Sequence, residues 1–380
     1  MASDFQSRPI VLAAGGTGGH LFPAQALADE LRRRSMKVLL VTDERGLKWR
    51  EHFPDTELRH TVSGTVTRSG WGARLMGLLK LAVGTAQALA LLTQKRPGAV
   101  VGFGGYPSLP TMLAAIIRRD ATCIHEQNAV MGRANRLVAG SVSGIALAFP
   151  APVGLSVPLA GKARVVGNPV RGSILELAGA PYRLLTPGGP IELLVFGGSQ
   201  GASIFSSVLP AAVELLTSGI RARLRVVQQA REGEVEATSA RYAALGIKAV
   251  VKPFFDDMPQ RMERAHLVIC RSGASTVSEL SVIGRAAILV PLPGAIDGDQ
   301  AANATRLAAA GGAWLMPQSD FNAQALASRL TELFGQPALL EAAAAAALSQ
   351  GKPDAARTLA DYVGELARPS RATVAAEEAA

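Results

Sequence analysis

Short runs of aliphatic and β-branched residues recur along the chain, each closed by glycine, proline or a polar residue. In the first half they are PIVLAA (9–14), KVLLVTD (37–43), GAVVGFG (98–104), ATCIHEQ (121–127), GIALAF (144–149) and ARVVGNP (163–169). Runs this short and this continuous predict strands buried on both faces. Between them, residues 23–35, 76–94, 107–119 and 132–139 have helical spacing. Alternating strand and helix predicts a parallel sheet covered on both faces. The second half repeats the plan with IELLVFGGSQGA (191–202), ARLRVVQQ (222–229), KAVVKPF (248–254), AHLVICRSGAST (265–276) and AAILVPLPG (286–294). Gly15-Gly16 after the first strand corresponds to Gly197-Gly198 after the first strand of the repeat. The expected fold class is therefore α/β, with two Rossmann-like, doubly wound parallel-sheet domains. The Gly/Pro-rich stretch 167–190 carries the boundary, giving domains over 1–170 and 171–352. A helix near 355–368 is expected to pack back on the first domain, and the acidic, alanine-rich residues 369–380 read as a disordered tail.

Composition adds limits. A chain of 380 residues with 48% hydrophobic and 18% charged residues can fill two full cores. Cys123 and Cys270 sit in apolar segments without metal-ligand or CxxC spacing, so no disulfide is expected, and the amino-terminal residues do not read as a secretory signal. A cytoplasmic protein is expected. The net charge of +9 favours anionic partners. Nucleic acid is not the expected one: aromatics are 5% and no dense Lys/Arg block interleaves with them. Phosphorylated metabolites and an anionic membrane surface remain.

Residues 71–98 test the membrane. On a helix at about 100° per residue, Trp71, Leu75, Leu78, Leu79, Ala82 and Leu89 share one face, with Lys80 and Gln87 roughly opposite. This is amphipathic rather than spanning. Either the stripe is buried in its own domain, or part of it rests on a bilayer while Arg74, Lys80, Lys95 and Arg96 meet anionic headgroups.

The loops carry the candidate chemistry. Glycine after a strand lets backbone N–H groups approach a phosphate at a helix N-terminus. VLAAGGTGGHLFPA (11–24) and FGGSQGA (196–202) are such loops, and neither is a P-loop or a GxGxxG fingerprint. Asp43, ending the second strand, sits where a nicotinamide enzyme would hold a ribose, or it is an ordinary turn residue. GFGGYPSLP (102–110) and CRSGASTVSE (270–279) add two more candidates. In the latter Glu279 is either a ligand for a sugar diol or the glutamate of a capping box. HEQNAVMGRANR (125–136) clusters amides suited to sugar hydroxyls, or to capping the loop. Asp297 and Asp299 form an isolated DxD, more consistent with a turn. No other His, Cys, Asp or Glu cluster has metal spacing, so no metal is expected.

Taken in order, GGTGGHLFPA, GGYPSLP, HEQNAVMGRANR, GNPVR, GGSQGA, CRSGASTVSE and DQAANA resemble the MurG family over roughly residues 9–365. These are the transferases that carry GlcNAc from UDP-GlcNAc to lipid-linked MurNAc-pentapeptide in peptidoglycan synthesis. The resemblance implies a GT-B architecture, two Rossmann-like domains facing a cleft, and inverting transfer to the 4-hydroxyl of the muramoyl sugar of lipid I, the undecaprenyl-diphosphate-linked acceptor. On the donor side it implies Ser199 and Arg171 at the diphosphate, Ala274, Ser275 and Thr276 at a helix end, and Glu279 at the ribose. Phe255 and Met258 would flank the uracil, Asp299 and Gln300 would reach the GlcNAc hydroxyls, and Asn128 would touch the donor sugar. Thr17, Gly18 and Gly19 would hold the acceptor's diphosphate and also reach the donor, with Tyr106 and Asn135 lining the acceptor side. Where Asp299 stands the family often has Gln or His, which leaves the hydroxyl contacts at that position open.

Such a transfer needs a base for the acceptor proton and a cationic setting for departing UDP. Arg171 and helix-end amides can supply the second, so no cofactor is implied and no metal is required in principle. His20 is the candidate base, the alternative being a ring that only hydrogen-bonds the acceptor or the loop. The implied location is peripheral, on the cytoplasmic face of the inner membrane. A GT-B transferase with another acceptor, and a nicotinamide oxidoreductase, are the competing readings.

Overall fold

The computed structural model describes residues 8–16, 18–64, 71–198, 201–295 and 297–368. The central apolar runs form strands with no exposed face, whereas Ala163–Val165 and Lys248–Lys252 at the sheet edges are largely exposed. β1 (Ile10–Ala13) is buried at every position and pairs in parallel with β2 (Val38–Thr42) on one side. Then follow β3 (Glu57–His60), β4 (Ala99–Gly102), β5 (Thr122–Glu126), β6 (Gly144–Leu147) and β7 (Ala163–Val165). They build a seven-stranded sheet in the order β3-β2-β1-β4-β5-β6-β7, parallel throughout. The second sheet has β8 (Ile191–Phe196), β9 (Leu224–Gln229), β10 (Lys248–Lys252), β11 (Leu267–Cys270), β12 (Ala287–Leu289) and β13 (Ala313–Leu315), in the order β10-β9-β8-β11-β12-β13, again parallel. Each sheet grows in one direction from its first strand and then in the other, so its switch point lies between β1 and β4, or between β8 and β11.

The helices of the first half are α1 (Gly18–Arg33), α2 (Trp71–Lys95), α3 (Leu109–Arg118) and α4 (Arg133–Val138). Those of the second are α5 (Gly172–Leu175), α6 (Ser203–Glu214), α7 (Ser218–Arg223), α8 (Val235–Ala244), α9 (Met258–Arg264), α10 (Ala274–Ile283), α11 (Asp299–Ala309), α12 (Ala323–Gly335) and α13 (Pro337–Ser349), followed by α14 (Ala355–Ala367). The chain divides into two compact units, one running to Arg171 and resuming at Asp354, the other Gly172–Pro353. Apolar clusters cover both faces of the first sheet, and α14 completes one of them with Leu359, Tyr362 and Val363. Tyr362 also donates its hydroxyl to the Lys162 carbonyl at 2.7 Å. The second unit has its own cluster. Cys123 and Cys270 are free and buried.

In α2 the buried face differs from the stripe of large residues. Gly77, Gly84, Ala88 and Leu92 face inward, and the helix runs along α3. A Cβ on Gly84 would fall 1.9 Å from the Val62 carbonyl oxygen, so only glycine allows this approach. Gln87 accepts the Val62 N–H at 3.0 Å. Small residues let the backbone dock closely, and the large ones are left outside: Trp71 is 89% exposed, and Leu75, Leu78 and Leu79 are each more than half exposed. The reading of the stripe as domain core is thereby overturned for these four residues, whereas Leu89 packs against the core. By length and composition Arg74–Lys95 could cross a bilayer, with a mean hydropathy of 1.7. Its docking on Val62 and α3 makes it part of the first unit's helical layer instead.

One buried cation organises the second unit. Arg285 is fully buried and donates to the carbonyl oxygens of Glu263, Ala180, Ile283, Gly284 and Pro181 at 2.8–3.3 Å. It thus pins the segment leading into β8 against the start of β12.

Candidate active site

The four loops singled out for phosphate converge in pairs. Gly15-Gly16 follows β1 and Phe103–Gly105 follows β4, the neighbouring strands at the first switch point; Gly197-Gly198 follows β8 and Arg271–Gly273 follows β11, the neighbours at the second. Ligands of open α/β sheets settle at the carboxyl ends of strands where the order reverses.

In the first unit, Gly18, Gly19 and His20 are not loop residues but the opening turn of α1. Their N–H groups have no intrahelical acceptor, which suits an anion. Thr17 lies outside the described residues. Gly105 adopts a φ of +70°, and a Cβ there would come 2.7 Å from His20 Cδ2 and 2.9 Å from Nε2. The imidazole therefore lies against the backbone of the β4 loop, with half-exposed Tyr106 next in sequence. Asp43 is not open to a ribose. Its buried carboxylate accepts the N–H groups of Gly16 (3.3 Å) and Gly46 (3.1 Å) and pairs with Arg45 Nε at 3.0 Å, bracing the first glycine loop.

The cluster after β5 is mostly internal. Glu126 is buried and accepts from Asn128 N (3.0 Å), Gly132 N (2.8 Å) and Asn135 Nδ2 (2.8 Å). Burial raises its pKa, while the Gly132 N–H and the Asn135 amide pull it back. Asn135, expected to line the acceptor side, is buried, and its amide nitrogen donates to Glu126 and to the His125 carbonyl. Gln127 Nε2 reaches the Phe103 carbonyl at 2.9 Å. Of this group Asn128 alone is half exposed. The cluster is thus chiefly a brace that ties the β5 loop to the β4 loop.

His125 is buried, with Nε2 2.9 Å from the Gly167 carbonyl. Burial lowers its pKa from the ordinary 6.5 to about 4, against the pull of that carbonyl. The unfolded chain takes up a proton first, so this group's stabilisation is complete above pH 6.5 and is lost as pH falls towards 4. His125→Gln is expected to flatten the stability profile in that window by up to about 1.4 kcal/mol per pH unit. Urea unfolding at pH 7 and pH 5 measures it, and parallel losses in both proteins would contradict it.

In the second unit α10 starts at Ala274, with Gly273 as N-cap and no side-chain cap. Thr276 is already inside the helix, so Glu279 is not the glutamate of a capping box; it is a buried residue on the helix's second turn. Ser275 Oγ is buried and makes no hydrogen bond among the described residues. The preceding loop is held by Ser272 Oγ, which donates to the Gln300 carbonyl at 2.8 Å, and by Asn303 Nδ2 to the Ser272 carbonyl at 3.2 Å. These contacts bring the start of α11, with half-exposed Asp299 and Gln300, beside the start of α10. Gln300 Oε1 accepts the Leu292 N–H at 3.0 Å, which fixes the side chain and leaves its amide nitrogen to donate to a ligand. Phe255 is buried under Arg261, 4.4 Å from the ring centroid, and Met258 is half exposed. Arg171 belongs to the first unit, stacked 4.6 Å over the Phe22 ring of α1, because the chain divides just after it. Ser199 lies outside the described residues. Among those residues no three His, Cys, Asp or Glu side chains gather as a metal site.

Two doubly wound parallel sheets, each with glycine loops and a helix N-terminus at its switch point, are the arrangement of the GT-B class of glycosyltransferase. Residues 10–146 match the glycosyltransferase family 28 N-terminal domain and residues 192–359 its C-terminal domain. The chain belongs to the MurG family of this class. It is 51% identical, over 93% of both chains, to the UDP-N-acetylglucosamine--N-acetylmuramyl-(pentapeptide) pyrophosphoryl-undecaprenol N-acetylglucosamine transferase of Rhodospirillum centenum. It is 52% identical to the protein of the same name from Methylobacterium nodulans, over 94% of this chain and 96% of that one. Among solved structures it resembles Acinetobacter baumannii MurG, with a TM-score of 0.76 at 30% identity over 94% of this chain and 99% of that one.

Proposed function

We propose that the protein transfers GlcNAc from UDP-GlcNAc to the 4-hydroxyl of the MurNAc residue of lipid I, with inversion, and does so as a peripheral protein at an anionic membrane surface. The observation that carries the donor half is the uncapped N-terminus of α10. Its free N–H groups at Ala274, Ser275 and Thr276, with the orphaned Ser275 Oγ, suit a diphosphate, and Glu279 one turn on suits the ribose diol. Met258 and Phe255 offer apolar surface for the uracil, while Asp299 and the Gln300 amide nitrogen are within the same loop group for the sugar hydroxyls. Ser199 and Arg171 are proposed at the donor diphosphate. The acceptor half rests on the opening turn of α1, where Thr17, Gly18 and Gly19 receive the lipid-linked diphosphate. Tyr106 and Asn128 contribute at the sugars, and Asn135 acts through the brace it forms with Glu126. His20 takes the proton of the attacking hydroxyl. Departing UDP is stabilised by amide dipoles and Arg171.

Glu279→Ala is expected to weaken donor use by about ten- to a hundredfold, the effect of removing a charged hydrogen-bonding partner. Equilibrium dialysis with UDP-GlcNAc checks it. Saturation by UDP-GlcNAc and not by NAD supports the donor assignment, and saturation by NAD would replace it.

Membrane attachment rests on the exposed face of α2. Each Lys or Arg near an anionic surface contributes about 1 kcal/mol, and a fully inserted leucine about 1.5–3 kcal/mol. Leu75→Glu with Leu79→Glu is expected to abolish co-sedimentation with anionic vesicles and to leave the thermal transition in place, since both residues are exposed. Undiminished sedimentation would move the contact elsewhere.

A further inference from the structure

A cavity of about 470 Å³ lies in the first unit, at the carboxyl end of β2 and beside the first half of α2. Its walls include Asp43, Glu44, Arg45, His60, Met76 and Lys80. Asp43 is already engaged by two backbone N–H groups and by Arg45. Lys80 and His60 form no ion pair among the described residues. The Arg45 side chain is 66% exposed, and its Nη2 lies 3.5 Å from where a Cβ on Gly16 would stand. One end of the cavity therefore borders the glycine loop that leads into α1. Met76, 54% exposed, belongs both to the cavity wall and to the apolar surface of α2. A pocket with an unpaired lysine and an exposed arginine fork, between a phosphate-suited loop and an exposed apolar helix face, fits an amphiphile with an anionic head.

We propose that this cavity seats the lipid-proximal phosphate of a prenyl diphosphate, Lys80 and Arg45 holding its oxygens and Met76 meeting the first prenyl unit. The proposal rests on the reading of the acceptor as lipid-linked, and it adds a subsite outside the opening turn of α1. Lys80 acts as a compact point charge, and Arg45 offers guanidinium N–H groups beyond the Nε used by Asp43. Glu44, exposed on the same wall, opposes the phosphate.

The test is calorimetric titration of the full chain with farnesyl diphosphate below its micelle concentration, alongside inorganic diphosphate. Lys80→Ala and Arg45→Ala are each expected to weaken farnesyl diphosphate about tenfold or more, and Glu44→Gln to tighten it. UDP affinity should hold in all three, and the thermal midpoint in Lys80→Ala and Glu44→Gln. Because Arg45 also contacts Asp43, Lys80→Ala is the decisive variant. The proposal falls if the unmodified chain does not bind farnesyl diphosphate, if Lys80→Ala binds it undiminished, or if inorganic diphosphate binds equally well. GlcNAc transfer by the unmodified chain is assayed in parallel. Binding without transfer would overturn the proposed function and leave the subsite standing, whereas transfer without binding would do the reverse.

Discussion

His20→Ala is expected to lower turnover by about 10² to 10⁴, the range for removing a general base, while UDP affinity stays within about twofold. The asymmetry follows from the architecture: His20 opens α1 in the first unit, and the groups proposed for the donor stand at the start of α10 in the second. The imidazole is not free to swing wherever it likes, because the Gly105 backbone lies against it. A ring held in one place can accept a proton from a hydroxyl seated at the α1 N-terminus without reorganising. Steady-state kinetics with a lipid I analogue, with UDP binding measured separately, read the two effects apart. A rate within a few-fold of the unmodified protein would leave His20 only a hydrogen-bonding role, and loss of UDP binding would relocate it to the donor.

Arg285→Met is expected to destabilise the second unit by about 3–5 kcal/mol, the range for breaking a buried charged network by removing one partner. Methionine nearly fills the space but strands carbonyl oxygens from three chain segments, those of Ala180 and Pro181, of Glu263, and of Ile283 and Gly284. Burial lowers the pKa of Arg285, and the nearby Glu263 carboxylate partly restores it. Arg285→Lys should rescue little, since one ammonium cannot reproduce the planar fork that reaches all five acceptors. For a unit of this size the midpoint should fall by roughly 10 °C. Scanning calorimetry, with and without UDP to mark the second unit's transition, measures it. A shift below about 2 °C would mean that water replaces the guanidinium without cost.

The buried strands were legible because a parallel sheet covered on both faces demands unbroken apolar runs. β3 was not, since Glu57–His60 is a charged edge strand with mostly exposed residues, and β13 was not, since Ala313–Leu315 is too short to stand out. The stripe on α2 was visible in the sequence, but hydrophobicity alone assigns large apolar residues to the core. The docking face is made of Gly77, Gly84 and Ala88, and it depends on the segment at Val62–Gly64 lying against Gly84 and Gly77. In the candidate site, the four loops were legible as strand-end glycines and caps. Their pairing at two switch points was not, because strand order is a property of the sheet. The placement of His20 against Gly105 has no local signal either. Asp43 and Glu126 brace the loops, and the only trace of this in sequence is a carboxylate ending a strand, a pattern shared with ribose binding and with ordinary turns. The buried state of Asn135 and the stacking of Arg171 on Phe22 likewise depend on which segment packs above them.

The most direct measurement of the central claim is transfer of radiolabelled GlcNAc from UDP-GlcNAc to a lipid I analogue by the full chain, with a lipid-free sugar as the competing acceptor. The account predicts label in the lipid-extractable product, its loss in His20→Ala and Glu279→Ala, and little label on the lipid-free sugar. Equal labelling of the lipid-free sugar, or no transfer to the lipid acceptor while UDP-GlcNAc is bound, would contradict it.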